Sequence, residues 1–370
     1  MISARISGTR CPYCYGNKTL LNFNDLRTSK PLLAVEWHPT KNGDLHPEFF
    51  SRGSGKKIWW LGLCGHEWPA KINGRANGIN CPRCANHVSK AEETIVAFLW
   101  SRDLIVEQSN RKILNGKELD IFLPEKNLAI EFNGLYWHTE SAGKDKFYHY
   151  NKWLKCKEQG IQLIQIWEDD WIKNQDKIIN MISVKAGVYN GDKVFARKTT
   201  IHKITAKETE IFLKANHIQE FASGSIYVGL KDGKNKLVAA MVLRKAPNND
   251  KNLILTRYAT NMSVVGGFTK LLKYVEKEFL PKIITTFSDN TVSDGSLYEN
   301  NGLIADLSLR PNYMYVVNGI RKHKFGYRLK GFKNDPDLLW NESMSERELA
   351  ILNNIPRIWD AGKTRWIKNC

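Results

Sequence analysis

Two acidic residues lie in neighbouring apolar segments between Glu118 and His138. Asp120 and Glu131 flank a Pro-Glu-Lys-Asn turn, and the surrounding apolar residues predict a β-hairpin. A buried carboxylate is unfavourable unless a cation compensates it, and a divalent metal such as Mg²⁺ is the usual candidate. Metal-assisted hydrolysis of a phosphodiester requires acids that bind the metal and a base that activates water. Asp120 and Glu131 could bind the metal, and His138 lies close enough in sequence to be the base.

The positive charge of the chain is unevenly distributed. The net charge is +17 over 370 residues, and it divides into +8 for residues 1–90, −2 for residues 91–190 and +11 for residues 191–370. Basic segments on both sides of a slightly acidic one predict a polyanionic partner, and we expect double-stranded DNA. The simpler alternative is a basic protein without such a partner.

The sequence has no apolar run long enough for a membrane span and no apolar core of a signal peptide near its first residue. We therefore expect a cytoplasmic protein with no membrane partner, located in the host cytoplasm if a phage encodes it. In that compartment, paired cysteines indicate zinc rather than disulfides. Cys64, His66, Cys81 and Cys84 have the spacing of one tetrahedral Zn²⁺ site, in which His66 is the weakest ligand.

An internal repeat surrounds these cysteines. The pattern Arg-x-x-Gly-x-x-Cys-Pro-x-Cys occurs at residues 5–14 and again at residues 75–84. Cys11 and Cys14 in the first copy have no evident partner pair, so we expect no complete zinc site there unless a distant residue such as His38 or His46 completes it. Residues 31–85, with Glu-Trp, Trp-Trp and Gly-His-x-Trp elements, resemble the treble-clef zinc-ribbon repeats of phage and bacterial nucleases.

That resemblance implies a DNA-binding module, which we assign to residues 1–88. Its tryptophans are expected to form the small core that a zinc module needs. The expected phosphate contacts are its basic side chains, Lys56, Lys57, Lys71 and Arg75.

Residues 89–190 predict an order of helix, acidic hairpin, helix, strand and helix. Ser89 and Glu92 fit a capping box, so a cap is an even alternative to catalysis for Glu92. A helix from Phe147 to Gln159 places His149 and Lys152 on one face, and a strand then leads to Glu168. This order resembles the restriction-endonuclease-like αβ core.

Residues 89–173 also resemble the very-short-patch mismatch endonucleases and the phage homing endonucleases called EDxHD. The resemblance implies that Asp120 binds the metal and His138 is the base. The closing acid of the family would fall near His149, which is not acidic, so Glu168 or Asp169 is expected to orient His138. Asn133 stands where a lysine-dependent nuclease has its lysine.

The expected site combines these residues. The catalytic candidates are Glu92, Asp120, Glu131, His138, His149 and Asp169. Asp120 and Glu131 are the expected Mg²⁺ ligands, and Lys152 is an expected nucleic-acid contact.

The remaining chain alternates strands and helices over residues 191–335, followed by a tail of residues 336–370. The alternation and the pair Gly266-Gly267 resemble the acetyltransferase fold called GNAT. The usual glycine motif of that family is absent and no acceptor base is evident. We therefore expect a DNA-gripping domain in preference to an acetyltransferase.

The sequence as a whole predicts a multi-domain α/β protein: a zinc ribbon, a restriction-endonuclease-like core and a GNAT-like domain. The expected function is a metal-dependent endodeoxyribonuclease of the homing type, with catalytic Mg²⁺, structural Zn²⁺ and no small-molecule substrate. A mismatch-repair nicking endonuclease and a non-catalytic, zinc-containing DNA-binding regulator are the alternatives.

Overall fold

The computed structural model describes residues 12–13, 18–62, 67–79, 81–82, 89–247 and 249–370. The chain forms two compact units, of which the first comprises residues 1–90 and 347–354 and the second the remainder. Within the described residues, no helix is long and apolar enough to cross a membrane. The predicted domain boundaries after residues 88, 190 and 335 stay predictions.

The first unit is built around an antiparallel hairpin of β1 (Lys57–Leu61) and β2 (Glu67–Lys71). Trp60 and Trp68 alternate inward on these strands and form a small core with Leu26. Three short helices surround the hairpin: α1 (Leu26–Ser29), α2 (Pro31–Ala34) and α3 (Ile72–Ala76). The predicted core role of these tryptophans is therefore confirmed for Trp60 and Trp68.

The second unit begins with a four-stranded sheet in the order β3-β4-β5-β6. The predicted acidic hairpin is confirmed, because β4 and β5 pair antiparallel across a turn in which Asn127 has φ of 45°. β5 and β6 pair in parallel. The strands are β3 (Glu107–Leu114), β4 (Lys117–Leu123), β5 (Leu128–Asn133) and β6 (Gln162–Trp167).

Helices cover both faces of this sheet. The helices are α4 (Lys90–Trp100), α5 (Tyr148–Glu158) and α6 (Glu168–Lys185). Ile130 of β5 packs with α4 and α6, whereas Ala129 packs with Trp153 of α5. Because side chains alternate along a strand, Glu131 points toward α5, and it is buried because that face is covered.

The largest sheet of the described residues has seven strands in the order β14-β18-β13-β11-β10-β9-β8. Neighbouring strands are antiparallel except β11 and β13, which pair in parallel over only three residues. The strands are β8 (Thr200–Lys203), β9 (Ile226–Lys231), β10 (Leu237–Ala246), β11 (Asn249–Thr260), β13 (Ile283–Asp289), β14 (Ile304–Leu309) and β18 (Lys363–Asn369).

Two helices pack against opposite faces of the seven-stranded sheet. α7 (Ala206–Asn216) contributes Leu213 to one core, and α8 (Gly267–Phe279) contributes Leu271 to the other. Gly266 precedes α8 with φ of 77°, a conformation that favours glycine. The short elements beside this sheet are β7 (Lys193–Phe195), β12 (Ser263–Val265) and α9 (Ser296–Glu299).

A three-stranded sheet is inserted between β14 and β18. It consists of β15 (Tyr313–Val317), β16 (Ile320–His323) and β17 (Arg357–Trp359), and α10 (Leu329–Asn334) and α11 (Glu346–Leu352) connect β16 to β17. The two strands of the predicted tail do not pair with each other. β17 pairs with β15 in the inserted sheet, and β18 lies between β13 and β14 in the seven-stranded sheet.

Candidate functional site

Six side chains meet between the four-stranded sheet and α5, and we call them the buried polar cluster: Asp120, Glu131, His138, His149, Lys152 and Gln165. Asp120 of β4 lies opposite Glu131 of β5. The backbone N–H of Asp120 donates to Glu131 Oε1 at 3.2 Å, and the N–H of Phe132 donates to Asp120 Oδ2 at 2.9 Å. The antiparallel register of the hairpin thus brings the two predicted acids together.

Lys152 of α5 forms an ion pair with Glu131, and both side chains are buried. Burial and the neighbouring Asp120 raise the pKa of Glu131 to about 8 despite this pair. Burial also raises the pKa of Asp120. Lys152 is therefore the cation that compensates the acids. Its side chain is buried against Glu131, and the expected contact with nucleic acid stays a prediction.

The positive charge of Lys152 occupies the place where Mg²⁺ was expected to balance the two acids. Within the residues that the structure describes, no group of three or more His, Cys, Asp or Glu side chains is arranged to hold a metal ion. One oxygen of Glu131 accepts from Lys152, and one oxygen of Asp120 accepts from the backbone of Phe132. The geometry therefore gives no support to catalytic Mg²⁺ at Asp120 and Glu131.

The two histidines form a chain that ends at Gln165. Nδ1 of His149 lies 2.7 Å from Oε1 of Gln165, and Nε2 of His149 lies 3.3 Å from Nδ1 of His138. Because an amide oxygen only accepts, Nδ1 of His149 donates to it, and Nε2 of His149 accepts from His138. Burial lowers the pKa of His149 to about 4 and that of His138 well below its ordinary value, so both rings are neutral at pH 7.

The acids expected to orient His138 have other partners. Glu168 accepts from the backbone N–H of Leu135 at 2.9 Å, and Asp169 binds the guanidinium of Arg321. His149 is the side chain that contacts His138 instead. Glu92 lies in the first turn of α4. The structure thus brings His138 and His149 together with both hairpin acids, but it gives Asp169 a different partner.

The four basic residues predicted to contact phosphates lie in two environments, the surface and the core of the zinc module. Lys56, Lys57 and Lys71 are exposed. Arg75 is buried, forms an ion pair with Glu36, and lies 5.0 Å and 5.3 Å from the ring centroids of Trp68 and Trp60. The guanidinium of Arg75 thus lies in the core beside these rings, and the expected phosphate contact at Arg75 stays a prediction.

One of the four expected zinc ligands can be placed. Cys81 is buried in the core of the first unit. Cys64, His66 and Cys84 lie outside the described residues, and so do Cys11 and Cys14. The expected ligand set therefore stays a prediction.

A cavity of about 290 Å³ lies at the N-terminus of α8 in the second unit. Gly266, Gly267 and Thr269 line it from the start of the helix, and Tyr258 and Thr260 line it from β11. β11 and β13 pair only between Asn252–Ile254 and Ile283–Thr285, so their later residues are not joined by the sheet. The paired glycines predicted this place, whereas the contribution of Tyr258 depends on tertiary packing.

Comparison with known families identifies one segment. Residues 33–87 match the family model described as "Probable Treble clef zinc finger domain". This agrees with the zinc-ribbon resemblance of residues 31–85 and supports structural Zn²⁺. No curated protein matches the sequence.

Solved structures that resemble this chain are acetyltransferases. A Bacillus subtilis acetyltransferase in complex with CoA matches with 12% identity and a TM-score of 0.27, over 47% of this chain and 98% of that chain. The ribosomal-protein-S18-alanine N-acetyltransferase of Escherichia coli matches with 9% identity and a TM-score of 0.27, over 46% and 93%. A spermidine N-acetyltransferase of Vibrio cholerae matches with 9% identity and a TM-score of 0.28, over 47% and 94%. At these values the likeness concerns the fold alone.

These findings correct the expected enzyme class. The enzymes named are N-acetyltransferases, and the expectation of an endodeoxyribonuclease is overturned. The resemblance to homing and very-short-patch endonucleases, and the restriction-endonuclease-like core, have no counterpart among these matches. The expectation that no small-molecule substrate is involved stays a prediction. The chain is a mixed α/β protein with a zinc-finger segment near its N-terminus.

Proposed function

We propose that the chain is a zinc-containing DNA-binding protein that contacts double-stranded DNA through three lysines of its first unit. The observation that carries the proposal is the register of β1 and β2, in which Lys57 lies directly opposite Lys71. Lys56 precedes Lys57, and within the described residues none of the three has a carboxylate partner. Like charges directly opposite on a sheet destabilise it, so this arrangement favours a polyanionic ligand.

The composition supports the same ligand. All three lysines lie within residues 33–87, the segment that matches the zinc-finger model. The chain as a whole has a net charge of +17. A long-range positive potential steers a polyanion such as DNA toward the protein.

The test is a binding titration of the zinc-loaded full chain with a fluorescein-labelled 30-base-pair duplex, followed by anisotropy at several KCl concentrations. We expect saturable binding that weakens with salt, and a loss of at least about ten-fold when Lys56, Lys57 and Lys71 are changed to Glu together. The matched control changes three exposed lysines of the second unit, Lys112, Lys117 and Lys126, to Glu. Absence of binding at low salt, or equal losses in the two triple variants, would refute the proposal.

The cavity at α8 favours a second candidate function, the binding of an acyl carrier such as CoA for acyl transfer. Backbone N–H groups at the start of a helix bind phosphate groups, and here the helix start lines a cavity together with Tyr258 and Thr260. A volume of about 290 Å³ is at the lower end for ligand sites, so it would hold only part of CoA.

Calorimetric titration with acetyl-CoA tests this second function. Val184 is 56% exposed and lines the cavity, so Val184→Glu places a negative charge at its rim without altering the core. We expect the variant to lose binding of the anionic ligand. Ile172→Glu is the control, because Ile172 lies on the same helix, is 76% exposed and does not line the cavity. If the unmodified protein does not bind acetyl-CoA, this candidate is excluded.

A further inference from the structure

The segment that contains β15 and β16 is the longest stretch of the second unit with basic but no acidic residues. Residues 307–334 contain seven Lys or Arg residues and no Asp or Glu. This segment includes β15 and β16, a 3₁₀-helix at Lys324–Tyr327, and α10.

Two of its cations stabilise the fold. Nε and Nη2 of Arg321 bind Asp169 and Asp170 at 2.8 Å and 2.5 Å, and the guanidinium lies 4.8 Å from the ring centroid of Trp167. Nζ of Lys324 donates to Asn312 at 2.7 Å. These contacts fix the hairpin and the 3₁₀-helix to the rest of the second unit.

The other cations of this region point into solvent. Arg310, Lys322, Arg328, Lys330 and Lys333 are exposed, and within the part of the chain that the structure describes none of them has a carboxylate partner. The last four follow one another within twelve residues of chain, and the segment contains no acid to balance their charge. Such a surface is electrostatically complementary to a polyanion.

An exposed aromatic ring lies among these cations. Phe325 is 62% exposed. The guanidinium of Arg328 lies 4.3 Å from its ring centroid, and the ring of His323 lies 4.4 Å from it. Nδ1 of His323 also accepts from the backbone N–H of Phe325 at 3.3 Å. The ring is therefore held in place while most of it remains accessible to a ligand.

We infer that Lys322, His323, Phe325, Arg328, Lys330 and Lys333 form a second DNA-contacting surface, separate from the zinc module. The four unpaired cations contact phosphates, and Phe325 contacts a base. This surface displays both basic side chains and an aromatic ring. Nucleic acid is favoured over an acidic peptide because nucleic acid presents anionic phosphates together with aromatic bases. The inference rests on the proposed DNA binding, and it names the surface of the second unit that contacts the DNA.

The electrostatic part is tested with the same duplex and the full chain. Each lost phosphate contact lowers the slope of log affinity against log salt by about one. We therefore expect a variant with Arg328, Lys330 and Lys333 changed to Glu to lower that slope by about three. The matched control, with Lys112, Lys117 and Lys126 changed to Glu, alters net charge equally, and we expect its slope to stay within about one of the unmodified value.

The aromatic part is tested with Phe325→Ala. Loss of a base contact is expected to weaken binding about ten-fold at constant salt slope, because no charge is removed. Phe287→Ala, which removes another surface ring that is 39% exposed, is the control and is expected to leave binding unchanged. Unfolding curves of all variants verify that they are folded, and the Phe325 variant provides a second test if the charge-reversed protein is unstable.

The outcomes separate this inference from the proposed function. If the zinc-module variant loses affinity but the Arg328 variant behaves like the Lys112 control, the second surface is refuted and the proposed function stands. If only the Arg328 variant loses affinity, the second surface stands and the proposed role of the zinc-module lysines fails. If the unmodified chain does not bind the duplex, both are refuted.

Discussion

The buried polar cluster and the basic surface of residues 322–333 use similar side chains in opposite environments. In the cluster, Lys152 and Glu131 are both buried and neutralise each other. On the surface, Lys330 and Lys333 are exposed and have no carboxylate partner among the described residues. The difference shows that a motif rich in ionisable groups can stabilise the fold, whereas a segment without a recognised motif can keep its charges exposed to solvent.

The largest effect is expected from breaking the buried ion pair. Lys152→Met leaves Glu131 buried without its cation, and we expect the free energy of unfolding at pH 9, where Glu131 is ionised, to fall by roughly 3–5 kcal/mol. Because the pKa of Glu131 is raised to about 8, the loss should be greater at pH 9 than at pH 6. Urea unfolding at both pH values measures this loss of stability. Lys155→Met is the control, because Lys155 lies on the exposed side of α5.

A double variant decides whether the ion pair is the cause. Lys152→Met combined with Glu131→Gln removes both charges, and we expect it to regain most of the lost stability. If the double variant is as unstable as Lys152→Met alone, packing rather than charge explains the effect.

The histidine chain makes the cluster sensitive to acid. The pKa of the His149 ring is about 4 in the folded protein and near 6.5 in the unfolded chain. Between pH 4 and pH 6.5, His149 is therefore protonated in the unfolded chain but neutral in the folded protein. The free energy of unfolding should therefore rise between pH 4 and pH 6.5, by about 3 kcal/mol from this residue. Unfolding measured across this range tests the sign, and His149→Gln should flatten the curve. An unchanged slope in that variant would contradict the assignment.

Arg321 and Lys322 are adjacent but belong to the two environments. Arg321→Ala removes two charge-assisted hydrogen bonds to Asp169 and Asp170, and we expect a loss of about 2 kcal/mol in the free energy of unfolding. Lys322→Ala is the neighbouring control and should change it by less than about 0.5 kcal/mol. Thermal and urea unfolding of both proteins measure the difference, and equal losses would show that this division is wrong.

The smallest effect on stability is expected on the basic surface itself. Lys330→Ala removes an exposed charge that has no acidic partner among the described residues, so the free energy of unfolding should change by less than about 0.5 kcal/mol, or increase slightly as repulsion falls. A loss above about 1 kcal/mol would show that Lys330 supports the fold, and the surface would then have to be redefined.

Much of the local structure follows from patterns of neighbouring residues. The alternation around Asp120 and Glu131 predicted the hairpin, and the helix expected over Phe147–Gln159 is observed at Tyr148–Glu158. These elements depend on contacts close in sequence. The position of β18 could not be predicted in this way, since its neighbours β13 and β14 are tens of residues away.

The chemistry of the candidate site was less predictable. The sequence indicated that Asp120 and Glu131 need a cation, and a metal was the expected one. Lys152 meets that need in the structure, although it lies 21 residues from Glu131. The helix pattern placed Lys152 on one face of α5, but no pattern showed that this face lies against β5.

The sequence by itself determined the zinc-finger segment, the excess of positive charge and the residues available to form ion pairs, because these depend on composition and short spacings. Only the tertiary structure decided which charges are neutralised and which face solvent. Burial under the covered four-stranded sheet joins Glu131 to Lys152, and packing of the small core of the first unit places Arg75 against Trp60 and Trp68. The physical reason is that a charge in the interior is stable only with a partner, and partners are selected by packing between elements distant in the chain.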